Sequence, residues 1–377
     1  MKKKRHTKFI FLFVTLISTS ILFNFCLKHN FHSKIPLVND GYDRSIYYSI
    51  GSWYPLNKIP YLGIFSEYPQ IATYFFALPH IISTSVNWKD YNQQTYDLIF
   101  STSMMLFLFG TIILLYSLKG KDKHFAYLML LPASLYFSYN RYDILVAFLS
   151  ILCLKLLSQE KYELAAFVLA LGVWAKWYLI VLLPIFMTFC YSRYRKINSR
   201  MFYIFCLTSI LIILPTFIWG GIQAFKVPYE YHLNRGENAE SLFYLIKSIL
   251  GHDLGAWYSL FLILQFSIMP LILFGKINSI KKVINWSALS ILVFILFSKF
   301  YSPQWILWIL PFLILRAKNL KDIIPIIIFD LITYLYFPVI FHGYKTLLYP
   351  IVVVKTIILL YFIATIFKEV VVDMLPN

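Results

Sequence analysis

The sequence is poor in charged residues and in cysteine. Only 14% of its residues are charged, against 60% that are hydrophobic, which excludes an ordinary soluble domain. Its cysteines lie within apolar runs and show no metal-ligand spacing, so we predict buried small hydrophobic residues rather than disulfides or a zinc site. They are Cys26, Cys153, Cys190 and Cys206. Acidic pairs in D-x-D spacing are also missing, and we predict neither a metal nor a cofactor.

Apolar runs long enough to cross a bilayer recur along the whole chain, which predicts an all-α polytopic membrane protein. The net charge of +17 lies in short basic clusters between the runs, where it is typical of a topology signal rather than of nucleic-acid binding. With these clusters in the cytoplasm, the runs alternate as about twelve spans with both chain ends inside. The spans are predicted near 8–27, 98–118, 124–140, 142–158, 162–175, 178–191, 201–219, 256–274, 284–298, 303–316, 322–341 and 346–367.

Three apolar segments differ from the other runs in whether and how they are expected to cross the membrane. The run 8–27 is longer than a signal-peptide core and lacks a cleavage site, so we predict an uncleaved span. The segment 68–84 is short and contains prolines, and we expect it to re-enter or lie at the outer interface, where 239–250 should lie as well. The chain then forms one membrane domain over 1–377, with a first outer loop at 28–97 and a second large outer loop at 220–255.

The unusual charged residues concentrate on the outer side. They are Asp40, Asp43, Glu67, Arg141, Asp143, Lys176, Arg235, Glu240 and Lys299. Charge at the membrane rim is costly, so its concentration on one face predicts a functional site. Apolar residues at helical spacing after Asp43 predict an amphipathic surface helix with Asp43 at its N-cap. Capping alone would then explain Asp43, and Asp40 would be an ordinary loop acid.

Several stretches resemble the glycosyltransferase family 87. Asp43, Tyr47 and Tyr48, followed by "NKIPYLGIFSEYPQIATYFFALP", resemble its D-x-x-x-Y-Y … PY … EYPPLA pattern, with Gln70 in place of the second proline. Further matches follow in order, up to about residue 315: "NRYDILVAFLSIL", "WAKWYLIVLLP", "YHLNRGENAESLF" and "KFYSPQWILWILPFLIL". The resemblance implies a GT-C-like bundle, with interfacial helices in its first outer loop, that uses polyprenyl-phosphate sugars.

The resemblance also implies that an acid in the first outer loop is the general base. Asp43 is the matching position, and Asp40 is the second candidate. Such a base takes the proton of the acceptor hydroxyl as the anomeric carbon is attacked. The leaving phosphate is a stable anion and needs no strong acid. One base with backside attack inverts the anomeric centre, in contrast to two-carboxylate hydrolysis.

The leaving phosphate needs preorganised cations. Arg235 is the first candidate, because the following glycine permits close backbone approach and arginine can hold a phosphate through two hydrogen bonds. Lys299, Lys176 and Arg141 follow. Two alternatives stay open: Arg141 and Asp143 can form a structural pair that closes a turn, and Lys176 can simply extend to the interface. The candidate substrate contacts are Glu67, Tyr68, His232 and Gln304, and Trp53 can stack on a sugar ring.

Together with the resemblance, these observations predict an inverting hexosyltransferase on the outer face of the cytoplasmic membrane, and the resemblance implies mannose as the first expected sugar. The expected partners are membrane lipids, a polyprenyl-phosphate sugar donor and a lipid-linked or surface glycan acceptor, and not nucleic acid. The alternative is a transporter or flippase of a lipid-linked sugar, which should carry midplane polar residues and internal repeats. No repeat is visible, and the charged residues within spans are few: Lys155, Lys355 and Asp330 are the clearest.

Overall fold

The structure is a computed structural model that describes residues 36–195, 198–251, 255 and 257–374. The predicted span 8–27, with Cys26, lies outside these residues. The described chain is helical and forms no strand beyond a single bridge between Pro60 and Ile64. The α-helices are α1 (Tyr42–Gly51), α2 (Gln70–Phe76), α3 (Leu78–Ser85), α4 (Gln93–Leu118), α5 (Pro132–Asn140), α6 (Asp143–Ser158), α7 (Tyr162–Ala175), α8 (Leu182–Tyr194), α9 (Ser199–Asn234), α10 (Leu242–Leu250), α11 (Trp257–Gln265), α12 (Ile268–Ile272), α13 (Ile280–Leu296), α14 (Ile306–Arg316), α15 (Leu320–Tyr334), α16 (Phe341–Gly343) and α17 (Leu348–Met374). Tighter 3-10 segments occupy Gly120–Leu130, Trp177–Val181, Pro303–Trp305 and Lys345–Leu347, and Leu335–Ile340 is π-helical.

Polar side chains set where several of these helices begin. Each such side chain accepts the backbone N–H of the residue three positions later, which satisfies a donor that the helix itself leaves free. These capping residues are Asn92, Asn198, Ser241, Ser279 and Asn319. The starts of α4, α9, α10, α13 and α15 therefore follow from local sequence.

Helices that are long and apolar enough to cross a membrane agree with the predicted class of all-α membrane protein. There are five in the described residues: Gln93–Leu118, Trp177–Tyr194, Ser199–Asn234, Leu320–Gly343 and Leu348–Val372. Judged by helix length and hydropathy, the described residues thus contain fewer spans than the twelve predicted. Helices α6, α7 and α13 have 16, 14 and 17 residues, fewer than the roughly 20 that a straight crossing needs. The number of spans stays a prediction.

Some predicted spans differ from the helices that form. The span 124–140 is interrupted at Leu131, whose extended backbone precedes a proline and separates a 3-10 segment from α5. The span 201–219 corresponds to α9, which extends to Asn234 across a break at Gly221. That glycine has a φ of 61°, a conformation that glycine adopts at little cost.

The described part of the first loop folds into three short helices. The segment 68–84 forms α2 and α3, and neither is long enough to cross a membrane alone. The backbones of α1 and α2 touch at Gly51, where a Cβ atom would lie 2.0 Å from the carbonyl oxygen of Phe76. The helix predicted after Asp43 is therefore present as α1. It packs inside the protein rather than only on a membrane surface, because its Tyr47 is buried.

The hydrophobic core is centred on α6 and α14, which are buried along most of their length. Helices α4, α7 and α13 pack around them. Helix α9 lies at the edge and exposes large apolar side chains such as Ile218, which suits contact with lipid. Cys153 and Cys190 are buried as predicted, whereas Cys206 is half-buried. This core holds in place the helix ends that carry the charged residues.

Candidate functional site

Arg141 joins the two acids of the first loop. It lies in the short break between α5 and α6, and its side chain is only 5% exposed. Its Nη2 donates to Asp40 Oδ2 at 2.6 Å. Its Nε lies 2.6 Å from Asp43 Oδ2, but the carboxylate is off the N–H axis, so this contact is a charge pair rather than an aligned hydrogen bond. The structure thus brings together three of the predicted site residues.

The two carboxylates have different environments. Burial raises the pKa of Asp40, but the Arg141 guanidinium and the Tyr42 backbone N–H outweigh burial, and the net pKa is lowered. Burial also dominates at Asp43, where Arg141 offsets it less and the negative charges of Asp40 and Asp143 add to it, so the pKa of Asp43 is raised. Within the described chain no donor is aligned on the Asp43 carboxylate. Asp40 is an anchored anion, and Asp43 is the available proton acceptor.

The predicted N-cap role of Asp43 is wrong. The N-cap of α1 is Gly41, and Asp43 is the second residue of the helix. The N–H of Tyr42 at the helix start instead reaches Asp40 Oδ1 at 3.0 Å, because an aspartate readily accepts the N–H two residues later. Asp40 therefore accepts the backbone N–H at the start of α1, and the oxygens of Asp43 do not take part in capping the helix.

A buried polar group next to these acids was not predicted. Asn140 is fully buried. Its Oδ1 accepts the backbone N–H of Asp40 at 3.0 Å and a bond from Arg44 Nη1, and its Nδ2 donates to two backbone carbonyls at 2.9 and 3.0 Å. Arg44 also pairs with Asp97 Oδ2 at 3.2 Å. The only signals in the sequence were that Arg44 follows Asp43 and that Asn140 precedes Arg141, and neither indicates this contact.

A second ion pair lies beside the first. Lys176 directly follows α7, and its Nζ donates to Asp143 Oδ1 at 2.6 Å. The same oxygen accepts Trp308 Nε1 at 2.7 Å, and the ammonium lies over the rings of Tyr142 and Trp308 at 4.7 and 5.0 Å. Neither of the open alternatives holds for the described residues. Arg141 pairs with the first-loop acids and not with Asp143, and Lys176 is directed at a carboxylate.

Arg235 and His232, at the end of α9, both contact Glu67. Arg235 Nη1 lies 3.3 Å from Glu67 Oε2, and its guanidinium lies over the ring of Phe300 at 3.5 Å. His232 Nε2 bonds to the backbone carbonyl of Glu67 at 3.0 Å. The side chain of Arg235 is 28% exposed, more than that of Arg141. The Arg235–Glu67 pair is therefore more accessible to a ligand than the pairs formed by Arg141.

Tyr68 follows Glu67 in the chain and contacts Tyr142, the residue between Arg141 and Asp143. Its ring packs edge-on against Tyr142 at 5.4 Å. Burial raises the pKa of its hydroxyl, and the negative charges of Glu67 and Asp43 raise it further. The other predicted aromatic contact, Trp53, is directed elsewhere, because its Nε1 donates to the carbonyl of Thr73 at 3.3 Å.

Gln304, a predicted substrate contact, lies in the 3-10 segment before α14. It is half-buried. The next residue, Trp305, stacks on Trp308 at 4.1 Å, and Trp308 holds Asp143. Gln304 is therefore close in sequence to this group of residues, and its contact with substrate stays a prediction.

The loop after α9 is tied to the loop after α13. Lys299 Nζ donates to a backbone carbonyl near the end of α9 at 3.2 Å. Asn238 accepts the N–H of Tyr301 at 2.8 Å and donates to its carbonyl. Glu240 and Lys355 of α17 form an ion pair in which each side chain is 1% exposed. We call Asn238, Tyr301, Glu240 and Lys355 the loop clamp; it fixes the segment that carries Arg235.

The arrangement can perform proton transfer next to a bound anion, since a carboxylate with a raised pKa lies among cationic side chains. Among the described residues, no three or more His, Cys, Asp or Glu side chains are placed to hold a metal. Comparison with known proteins finds no matching family model and no similar curated protein. The resemblance to glycosyltransferase family 87 stays a prediction from its motifs.

Proposed function

We propose that the protein is an inverting glycosyltransferase that moves a hexose, with mannose as the first expected sugar, from a polyprenyl phosphate to a lipid-linked or surface glycan. The supporting observation is the environment of Asp43: a raised pKa, no aligned donor from the described residues, and the cation Arg141 in contact with it. A general base is most effective when its pKa is shifted toward the working pH. The motif resemblance supports the same residue.

In the proposed reaction, Asp43 removes the proton of an acceptor hydroxyl. The hydroxyl oxygen bonds to the anomeric carbon while the bond from that carbon to the phosphate oxygen breaks. The electron pair leaves with the lipid phosphate, whose charge is stabilised by cations. The proton ends on Asp43 and passes to water after the product leaves.

The exposure of each cation distinguishes its role. Arg141 is held by two carboxylates and is nearly inaccessible, so we assign it to positioning Asp40 and Asp43 rather than to binding phosphate. Lys176 and Arg235 are 18% and 28% exposed, and they are the proposed phosphate contacts. Arg235 would exchange its long contact with Glu67 for a shorter, charge-assisted contact with phosphate.

One observation favours the alternative of a transporter or flippase, namely buried charges within candidate spans. Asp330 and Lys355 are both buried, and such residues mark transport paths in many membrane proteins. Each, however, has a structural partner here. Asp330 accepts the N–H groups of Ala133 and Ser134 at 2.8 and 3.0 Å at the start of α5, and Lys355 pairs with Glu240. We therefore place the transporter second.

Donor profiling tests the proposal. Purified protein in nanodiscs would be given polyprenyl-phosphate mannose, glucose or galactose together with membrane glycolipid, and release of the lipid phosphate would be scored. We expect acceptor-dependent release with one donor from wild type and its loss in Asp43→Asn. Movement of an intact lipid-linked sugar between leaflets of proteoliposomes, without release of lipid phosphate, would replace the transferase with a flippase.

A further inference from the structure

A cavity of about 970 Å³ lies along α1, and none of the roles above uses most of it. This volume falls within the range of small-ligand sites. Its walls come from α1, the segment before Tyr68, and α3. The hydroxyl-bearing residues on its walls include Ser45, Ser49, Ser52, Ser83 and Thr84. Ile46, Ile64 and Phe65 add apolar surface.

The polar wall is built to accept hydrogen bonds. Ser45, Ser52, Ser83 and Thr84 each donate their proton to a carbonyl of their own helix or turn, at 2.6 to 2.9 Å. A hydroxyl that has donated keeps its oxygen as an acceptor. The wall is therefore suited to a ligand that brings its own O–H donors, as a sugar does.

His80 adds no positive charge to this wall. It lines the cavity and is 2% exposed. Its Nε2 lies 3.0 Å from the backbone carbonyl of Tyr48, and because a carbonyl only accepts, this nitrogen carries the proton. Burial lowers the pKa of the imidazole, so the ring is neutral at neutral pH.

The charge of the cavity separates it from the phosphate contacts. Among its lining residues Glu67 is the charged one, and none is Lys or Arg. A phosphate would find no cation here and would meet the negative charge of Glu67. An uncharged ligand meets no such cost. Tyr48, Tyr91 and Tyr231 also line the cavity, and aromatic side chains combine apolar surface with a polar hydroxyl.

The cavity and the proposed base share helix α1. Helix α1 carries both Asp43 and the serines of the wall. Glu67 lines the cavity, and the next residue, Tyr68, packs edge-on at 5.8 Å against Tyr47, which lies one helical turn after Asp43 on α1. We propose that this cavity binds an uncharged sugar residue of the acceptor beside Glu67, and that the acceptor held there supplies a hydroxyl to Asp43 in the transfer step. The reaction step rests on the proposed function, whereas binding of a neutral sugar does not.

Cysteine protection tests binding without any transfer. Ser49 is exposed on the cavity wall, and Ser85 is exposed on α3 outside it, so Ser49→Cys and Ser85→Cys form a matched pair. The maleimide labelling rate of each would be measured, against a blank without the added cysteine, in the presence of p-nitrophenyl α-mannoside, p-nitroanisole or inorganic phosphate. We expect the mannoside to slow labelling at position 49 several-fold, with position 85 unchanged.

Three outcomes overturn the proposal: no protection by the mannoside, equal protection by p-nitroanisole, or equal protection by phosphate. The first excludes a sugar site, the second indicates a merely apolar site, and the third indicates an anion site. With a turnover assay in hand, Ser49→Trp should raise the acceptor KM about tenfold or more and leave the donor KM unchanged, while Ser85→Trp changes neither. Mannoside protection without transfer from any donor would refute the transferase and leave the sugar site standing.

Discussion

Replacing Asp43 with asparagine separates the chemistry of this carboxylate from its structural contribution. Asparagine keeps the size and one oxygen of the side chain but cannot accept a proton. Loss of a positioned general base lowers turnover by roughly 10²- to 10⁴-fold. Stability should change little, because the raised pKa of Asp43 means that the folded protein already disfavours its charged form. Arg141 keeps its 2.6 Å bond to Asp40 in this variant.

Asp40→Asn is the matched control. The lowered pKa of Asp40 reflects a favourable bond to Arg141, and losing a buried charge-assisted bond costs about 1.5–3 kcal/mol. This variant should therefore lower Tm in detergent clearly more than Asp43→Asn does, while keeping more of its turnover per folded molecule. The assay pairs lipid-phosphate release with thermal unfolding of each variant. Near-normal turnover in Asp43→Asn, or its loss only in Asp40→Asn, would refute the assignment of the base.

Turnover of the wild type should also fall as the pH drops through the raised pKa of Asp43, since only the ionised carboxylate takes a proton. The inflection should lie above the roughly 3.9 of an unperturbed aspartate. An inflection at or below that value would contradict the environment described for Asp43.

Three further outcomes are expected. Arg235→Ala should raise the donor KM and lower kcat, because it removes a charge-assisted phosphate contact; unchanged donor kinetics would exclude Arg235 from the site. Glu240→Gln should destabilise the protein by about 3–5 kcal/mol, because it strands a buried ammonium, and the double variant with Lys355→Met should recover most of that loss in Tm. In whole cells, an impermeant maleimide should label Asn57→Cys but not Lys121→Cys; the reverse would invert the predicted topology.

The sequence was most informative where the physics is local. The apolar runs predicted helices such as α4, α6 and α15, but not the interruption at Leu131. Asn92 and Asn319 cap the starts of α4 and α15, a local signal that the predicted spans, which begin at 98 and 322, did not use. The prediction failed where two nearby residues could both accept the same backbone N–H. Asp43 has the composition and position of a cap, but Asp40 lies closer to the first free N–H of α1 and takes it.

The sequence predicted which residues belong to the candidate site, but not which of them pair with one another. Charge at helix ends identified Arg141 and Lys176, but pairing depends on how α5, α6 and α7 pack, which no short-range pattern encodes. Asn140 was missed for the same reason. Its bond partner Asp40 lies 100 residues earlier in the chain, and an asparagine at the end of an apolar helix gives no sign of a contact at that separation.

The loop clamp has a consequence for how the molecule is made. Glu240 pairs with a lysine that follows it by 115 residues, in the last helix of the described chain. While the chain is being synthesised, the segment around Arg235 therefore exists before the ammonium that will neutralise its buried acid. The buried Glu240–Lys355 pair can form only after α17 has been synthesised and inserted. A chain shortened before residue 348 would retain every proposed catalytic and phosphate contact and still lack the partner that closes the second loop.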